Sequence, residues 1–231
     1  MRVYGKDRHL SIADGIHHRV RRVCMVYAGD EGLHRSRARR AGVIYIVELN
    51  FSDPSREAEW HAWYETYLTQ LVSLPGLSTA QRFRAVTPGT QPWTYLALYS
   101  VASLAVFASE AYRQMGGGGQ ASARFREAIR RRRTVYTGIE HLPVVTEAGR
   151  VVLCDDARHE GKLADCLFVP LLAATGRRQA GATELDGEPA QRTMAVLATN
   201  TLERLNLRAS RGLAIYAPLT TRDVSSLAVQ G

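Results

Sequence analysis

His61, Tyr64 and Arg82 are the residues of this 231-residue chain whose types and spacing best suit a shared reaction. His61 has Glu57 and Glu65 four positions away on either side, one helical turn in each direction. A carboxylate beside an imidazole orients the ring and raises its basicity, which suits a general base near neutral pH. The same trio could hold a metal, and it is equally a common pattern of solvated helix faces. Tyr64 offers a phenol that both donates and accepts. Arg82 and Arg84 flank Phe83, so a strand puts both guanidinium groups on one face. There they need anions: a substrate carboxylate, or an internal partner such as Glu48.

An aromatic set surrounds these three. Trp60, Trp63, Tyr64 and Tyr67 fall on one helical stripe with Leu71 and Leu74, and Trp93, Tyr95 and Tyr99 follow on a later segment. Such rings pack a helix on a sheet, each contributing a few kcal/mol of burial. They equally make an apolar pocket whose hydroxyls steer a carbonyl or phenolic ligand. The substrate-binding candidates are therefore Trp60, Trp63, Tyr67, Tyr95 and Tyr99, beside catalytic candidates His61, Tyr64 and Arg82.

The elements that position them follow from pattern. Val43–Phe51 is β-branched and apolar, a strand; "SDPS" then caps a helix that runs from Arg56 to the stop at Pro75–Gly76. "STAQRFRAV" and "WTYLALYSV" are strands around the turn "TPGTQP". A second helical region begins at "SLAVFASEAY", is interrupted by Gly116–Gly119, resumes as "SARFREAIRRRR", and leads to a strand at "TVYTGIEHL". The glycines lack a following GK[ST], so they are no phosphate loop and read as a flexible connection or lid. Arg130–Arg133 reads as a solvated helix end that suits the macrodipole. The order β-α-β-β-α-β is ferredoxin-like, and the uncovered sheet face calls for a second sheet, from a partner or from the same chain.

The same order then recurs in degraded form. "RVVLCDD" is a strand, "GKLADCLFVPLLAATG" helical, "RRQAGATEL" a strand, and "TMAVLATNTLERL" and "RGLAIYAPLTT" echo the third and fourth strands. "DDARHE", Asp155 to Glu160, reads as a cap, with metal binding as the alternative. The fold class is α+β: tandem ferredoxin-like modules, 43–144 and a degenerate 145–231, forming a barrel within one chain or by dimerisation.

"YIVEL…WHAWY…LPGLSTAQRF…YLALY…AY", over about residues 43–140, resembles the dimeric α+β-barrel superfamily, in particular a bacterial branch of unknown function. The second half joins only through the repeat. The resemblance implies two ferredoxin-like sheets closing into a barrel. Relatives include cofactor-free monooxygenases, isomerases, cyclases, decarboxylating or hydrating enzymes and some haem proteins. They share no catalytic residue set, so no role is carried over.

Charge and composition narrow the classes. The formal net charge is +8, but residues 1–42 carry +6 of it and the remaining chain only +2, so a basic nucleic-acid face is not expected. Residues 1–42 read as a disordered basic extension or a start assigned too far upstream; their four histidines, His9, His17, His18 and His34, carry no metal spacing. No apolar run has membrane-spanning length, and the first residues lack a secretory core. Three cysteines without a CxxC pair suit a reducing cytoplasm. HExxH, GxSxG and GxGxxG are absent. The expected function is a small-molecule enzyme of bacterial catabolism or secondary metabolism, of the isomerase, lyase or monooxygenase type. It acts on an apolar aromatic or polyketide-like carbonyl compound by proton transfer, with no cofactor and no metal. The alternatives are a non-catalytic hydrophobic-ligand protein and a haem-binding member, as a monomeric pseudo-dimer or a homodimer.

Overall fold

The computed structural model describes residues 42–139, 141–156 and 169–225. The readings of residues 1–41, of Ala157–Glu160 in "DDARHE" and of the helical segment up to residue 168 lie outside them.

β1 (Val43–Phe51) is the expected apolar strand. Asp53 accepts from the Ser55 N–H (3.1 Å) and hydroxyl (2.6 Å), and Pro54 opens a 3-10 turn that runs into α1 (Glu57–Val72). α1 buries Trp60, Tyr64, Leu68, Leu71 and Val72, a stripe of helical period. Trp63 and Tyr67 lie at its half-buried edge, and Leu68 takes the centre. β2 (Leu77–Ala85) and β3 (Tyr95–Val101) follow as an antiparallel pair.

Between β3 and β4 (Ile129–Thr137) the expected long helix gives way to short pieces. These are 3-10 turns at Leu104–Ala108, Gly117–Gly119 and Ala123–Ala128, around the five-residue α2 (Glu110–Gln114). Arg130–Arg133 therefore do not end a helix. They are strand residues that pair with Asn50 back to Val47 of β1. Four identical residues carry no period-2 signal, so their alternation shows only in the fold.

The remaining elements are β5 (Gly149–Cys154), β6 (Val169–Ala173), β7 (Arg178–Ala180), β8 (Thr183–Leu185), β9 (Gln191–Ala198), α3 (Thr199–Arg204), β10 (Leu213–Pro218) and β11 (Asp223–Val224). Two sequence readings are corrected here. Val169–Ala173, read as helix, is a barrel strand paired with β9 and β4. Residues 177–185, read as one strand, fold at Gly181 into a separate two-stranded hairpin, β7–β8.

Strands run β10-β5-β9-β6-β4-β1-β3-β2, and β2 pairs back onto β10, which closes an eight-stranded antiparallel barrel; β11 lies along β2. Each half has the same order by rank: fourth, first, third, second. The sheet face that needed covering is the lumen, filled by side chains such as Ile44, Ile46, Phe83, Leu96, Val151 and Met194. Lumen-facing Glu48 binds Arg132 (2.6 Å) and Arg192 (3.3 Å), and Arg192 binds Asp155 (2.8 Å). This network ties the first four strands to the second four. It also corrects the suggested pairing of Glu48 with Arg82 or Arg84, because Arg82 points to the opposite face, against α1. Outside the barrel, α1 and the 102–128 turns cover the first sheet, and α3 covers part of the second, over Val152, Cys154, Leu213 and Ile215. No helix among the described residues is long and apolar enough to cross a membrane.

Candidate functional site

Alternation along the first sheet sends Tyr45, Tyr99, Arg131 and Arg133 toward the helical layer. Together with Trp63, Tyr64 and Tyr67 of α1, and with Tyr112 and Ser122 of the covering turns, they enclose a cavity of about 60 Å³. Two larger hollows, of about 510 and 500 Å³, are grooves in which half of the lining residues are exposed, such as Thr87 and Arg208, or Arg124 and Arg126. The smaller cavity gathers buried aromatic rings and convergent polar groups, which makes it the candidate site.

The hydroxyls of Tyr64 and Tyr99 stand 3.1 Å apart in its wall. Burial raises the pKa of both phenols, opposed at Tyr64 by the Arg82 charge and reinforced at Tyr99 by Tyr64 itself. Burial also raises those of Tyr45 and Tyr67. These phenols stay protonated at neutral pH. The arginines stand out: Arg131 donates only a long bond to Ser122 Oγ (3.4 Å), and Arg133 donates to the Gly118 carbonyl (3.0 Å).

The cover is buttressed by the second half. Gly118 has φ +71°, and a Cβ there would lie 1.7 Å from the Ala182 carbonyl oxygen at the tip of β7–β8. Only glycine lets the two backbones meet. Thr183 donates to the Tyr112 hydroxyl (3.1 Å), and Asp186 accepts the Arg133 backbone N–H (2.7 Å).

Behind Tyr64 lies a second cluster. Arg82 is 0% exposed, with its guanidinium carbon 4.1 Å from the Tyr64 ring centre and 4.6 Å from that of Trp60. Its Nη2 donates to His61 Nδ1 (3.0 Å), and its Nε and Nη1 have no partner among the described residues. Arginine can only donate, so His61 Nδ1 is an acceptor and the proton of the neutral ring sits on Nε2. Burial and then the Arg82 charge lower the His61 pKa, and outweigh the opposing Glu57 and Glu65. His61 is thus a hydrogen-bond donor rather than the strengthened base its spacing implied. Glu57 instead accepts from the Tyr95 hydroxyl. Arg84 is exposed at the edge, 5.9 Å from the Tyr95 ring centre.

The sequence candidates therefore divide. Trp63, Tyr64, Tyr67 and Tyr99 line the cavity; Trp60, His61, Arg82 and Tyr95 form the layer behind them. Sequence reasoning missed Tyr45, Tyr112, Ser122, Arg131 and Arg133. Tyr45 shares the face of Val47 and Leu49, a signal that was present; the arginines gave none. Among the described residues no group of three His, Cys, Asp or Glu is placed to hold a metal.

No protein-family model and no curated protein matches the chain. Solved structures do match it in fold. An anthrone oxidase-like protein superposes with TM-score 0.50 at 9% identity, over 80% of this chain and 94% of that one. A protein assigned as a monooxygenase in Fusobacterium nucleatum gives TM-score 0.43 at 10% identity, over 80% and 95%. Another so assigned, in Lactobacillus acidophilus, gives 0.40 at 9%, over 80% and 97%. At this identity the likeness to the anthrone oxidase-like protein is one of fold alone, an α+β fold built on a closed antiparallel barrel.

Proposed function

We propose that the chain is a small-molecule enzyme that acts on an enolisable or phenolic ring compound by proton transfer, without a cofactor, in the cavity beneath α1. The observation that carries this reading is the Tyr64–Tyr99 hydroxyl pair, 3.1 Å apart in the wall of a buried aromatic cavity. One hydroxyl donates to the other, which leaves the second proton for a substrate oxygen. As the α-proton leaves to water at the cavity mouth, the growing enolate oxygen is held by the hydroxyl left free to donate, itself polarised by the bond it accepts from the other. At about 60 Å³ the cavity is below the roughly 150 Å³ that holds a benzene ring, so substrate entry moves the half-buried rings of Trp63 and Tyr67.

The common strand order supports reading residues 43–144 and 145–231 as duplicated modules, one keeping the cavity and the other its scaffold. In this reading the chain works in a reducing compartment, alone or as a homodimer.

The test is α-proton exchange of 2-tetralone in D₂O, followed by NMR; anthrone, an enolisable tricyclic ketone suggested by the name of one structural neighbour, is the second compound. The chain accelerates exchange, and Tyr64→Phe and Tyr99→Phe each slow it by about 10–100-fold. The rate does not fall from pH 6 to 9 through tyrosine ionisation, because both phenols titrate above their usual value of 10.0. Exchange no faster than in buffer rejects the reading.

A carrier or sensor of hydrophobic ligands is the second reading. It is favoured by the cavity lining, which among the described residues holds no carboxylate or imidazole to act as base. Neither His61 nor His141 lines the cavity, so a haem protein is not favoured.

A further inference from the structure

We infer that Arg131 and Arg133 form an anion-recognition site within this cavity, and that its ligand carries a carboxylate on an aromatic ring. The inference rests on the cavity being a ligand site and adds the chemical class of the ligand. Arg133 is 8% exposed, lines the cavity, and has an Nε with no hydrogen-bond partner among the described residues. Arg131 stands two positions away on the same face of β4, about 7 Å along the strand, so one anion can lie between the two heads. Neither guanidinium has a carboxylate within ion-pair distance among the described residues. Burial, and then the Arg133 charge, lowers the Arg131 pKa, which is the cost of holding like charges together in an apolar wall.

The same strand supplies the contrast. Arg132, on the opposite face, is paired with Glu48 at 2.6 Å, and Arg130 is exposed and stacks on Trp93 at 4.6 Å. The nearby hairpin carboxylates are engaged elsewhere: Glu184 pairs with Arg177 (2.7 Å), and Asp186 accepts the Arg133 backbone N–H. A buried and a half-buried cation thus stand side by side with no carboxylate in ion-pair contact among the described residues, an arrangement that a ligand anion would complete.

The Arg133 head is also fixed in advance. Arg133 is held by the Gly118 carbonyl, and the absence of a side chain at Gly119 leaves the space that the Arg131 head occupies. A prearranged guanidinium loses less freedom on binding and presents two parallel N–H donors, the geometry that matches a carboxylate. The surrounding tyrosine and tryptophan rings select the aromatic body that carries it.

The test uses two probes of one shape, 4-fluorobenzoate and the neutral 4-fluorobenzyl alcohol, with affinities from ¹⁹F NMR titration. The full chain binds the benzoate about tenfold more tightly or better. Arg131→Gln and Arg133→Gln each reduce that preference to about threefold or less. Arg131→Gln is informative even where the buried Arg133→Gln fails to fold, because Arg131 is only half-buried. Arg130→Gln makes the same charge change on the other face and keeps the full preference. Equal binding of the two probes, or a preference that survives in Arg131→Gln, overturns the inference and leaves the cavity standing. If neither probe binds, the cavity reading falls and takes the inference with it.

Discussion

Glu48→Ala lowers the melting temperature by about 10 °C, a loss of about 3–5 kcal/mol. Glu48 is buried in the barrel lumen between Arg132 and Arg192, and the Arg192 side chain is only 1% exposed. Burial alone would lower the Arg192 pKa. The charges of Glu48 and Asp155, with the Tyr136 hydroxyl, more than offset it and raise it above the arginine range. Removal of Glu48 leaves two guanidinium groups sharing Asp155, which lies 3.9 Å from Arg132 and 2.8 Å from Arg192. The cost is that of an uncompensated buried charge rather than of one lost hydrogen bond. The double substitution Glu48→Gln with Arg192→Met recovers much of the loss, because it removes the orphaned charge as well. A drop below about 2 °C in Glu48→Ala, read by calorimetry, contradicts the proposed role of this network in joining the two halves of the barrel.

Arg82→Met has the opposite sign. It raises the melting temperature by about 2–6 °C, a gain of about 1–2 kcal/mol. Arg82 is as buried as Arg192, but among the described residues it has no carboxylate in ion-pair contact and two of its nitrogens are without partners; burial is the first cause of its lowered pKa. Aromatic faces return part of that cost through cation–π attraction, on the order of 1–2 kcal/mol. Methionine keeps the stem, contacts the same rings through sulfur and removes the charge. The substitution also frees His61 Nδ1. In the native chain the imidazole titrates below the usual 6.5, through burial first and Arg82 second. Below that value the unfolded chain binds a proton that the folded chain does not, so stability falls as pH drops through this window and rises with increasing pH. In Arg82→Met the window narrows. ¹⁵N NMR shows Nε2–H as the native tautomer, and the His61 titration moves up toward 6.5 in the variant. A destabilised Arg82→Met with unchanged His61 titration contradicts both parts.

The first half was legible to within a few residues up to Val101, because β1, α1, β2 and β3 each carry their own period and their own stops at Pro54, Gly76 and the 86–92 turn. Reading failed where one residue type fills both faces, as at Arg130–Arg133, and this hid the two charged groups of the cavity. It failed again at Val169–Ala173, a short apolar run interrupted by Pro170 that has no alternation to set it apart from helix. The hairpin at 178–185 does alternate like a strand, but Gly181 (φ +55°) turns it back on itself. Its contacts with Tyr112 and the Gly118 backbone depend on tertiary placement alone. The aromatic candidates were recognised as a group, whereas their division by Tyr64 into a cavity wall and a layer around Arg82 depends on the angle at which α1 crosses the sheet.

The most direct test of the central claim, that the tyrosine-lined cavity beneath α1 is where this chain meets its small molecule, is a crystal structure grown with 4-fluorobenzoate. The account predicts ligand density between Tyr64, Tyr99 and Arg131, with Trp63 and Tyr67 displaced to admit it. Density confined to the open groove beside α3, near Arg150 and Asn206, with the cavity unchanged, contradicts it.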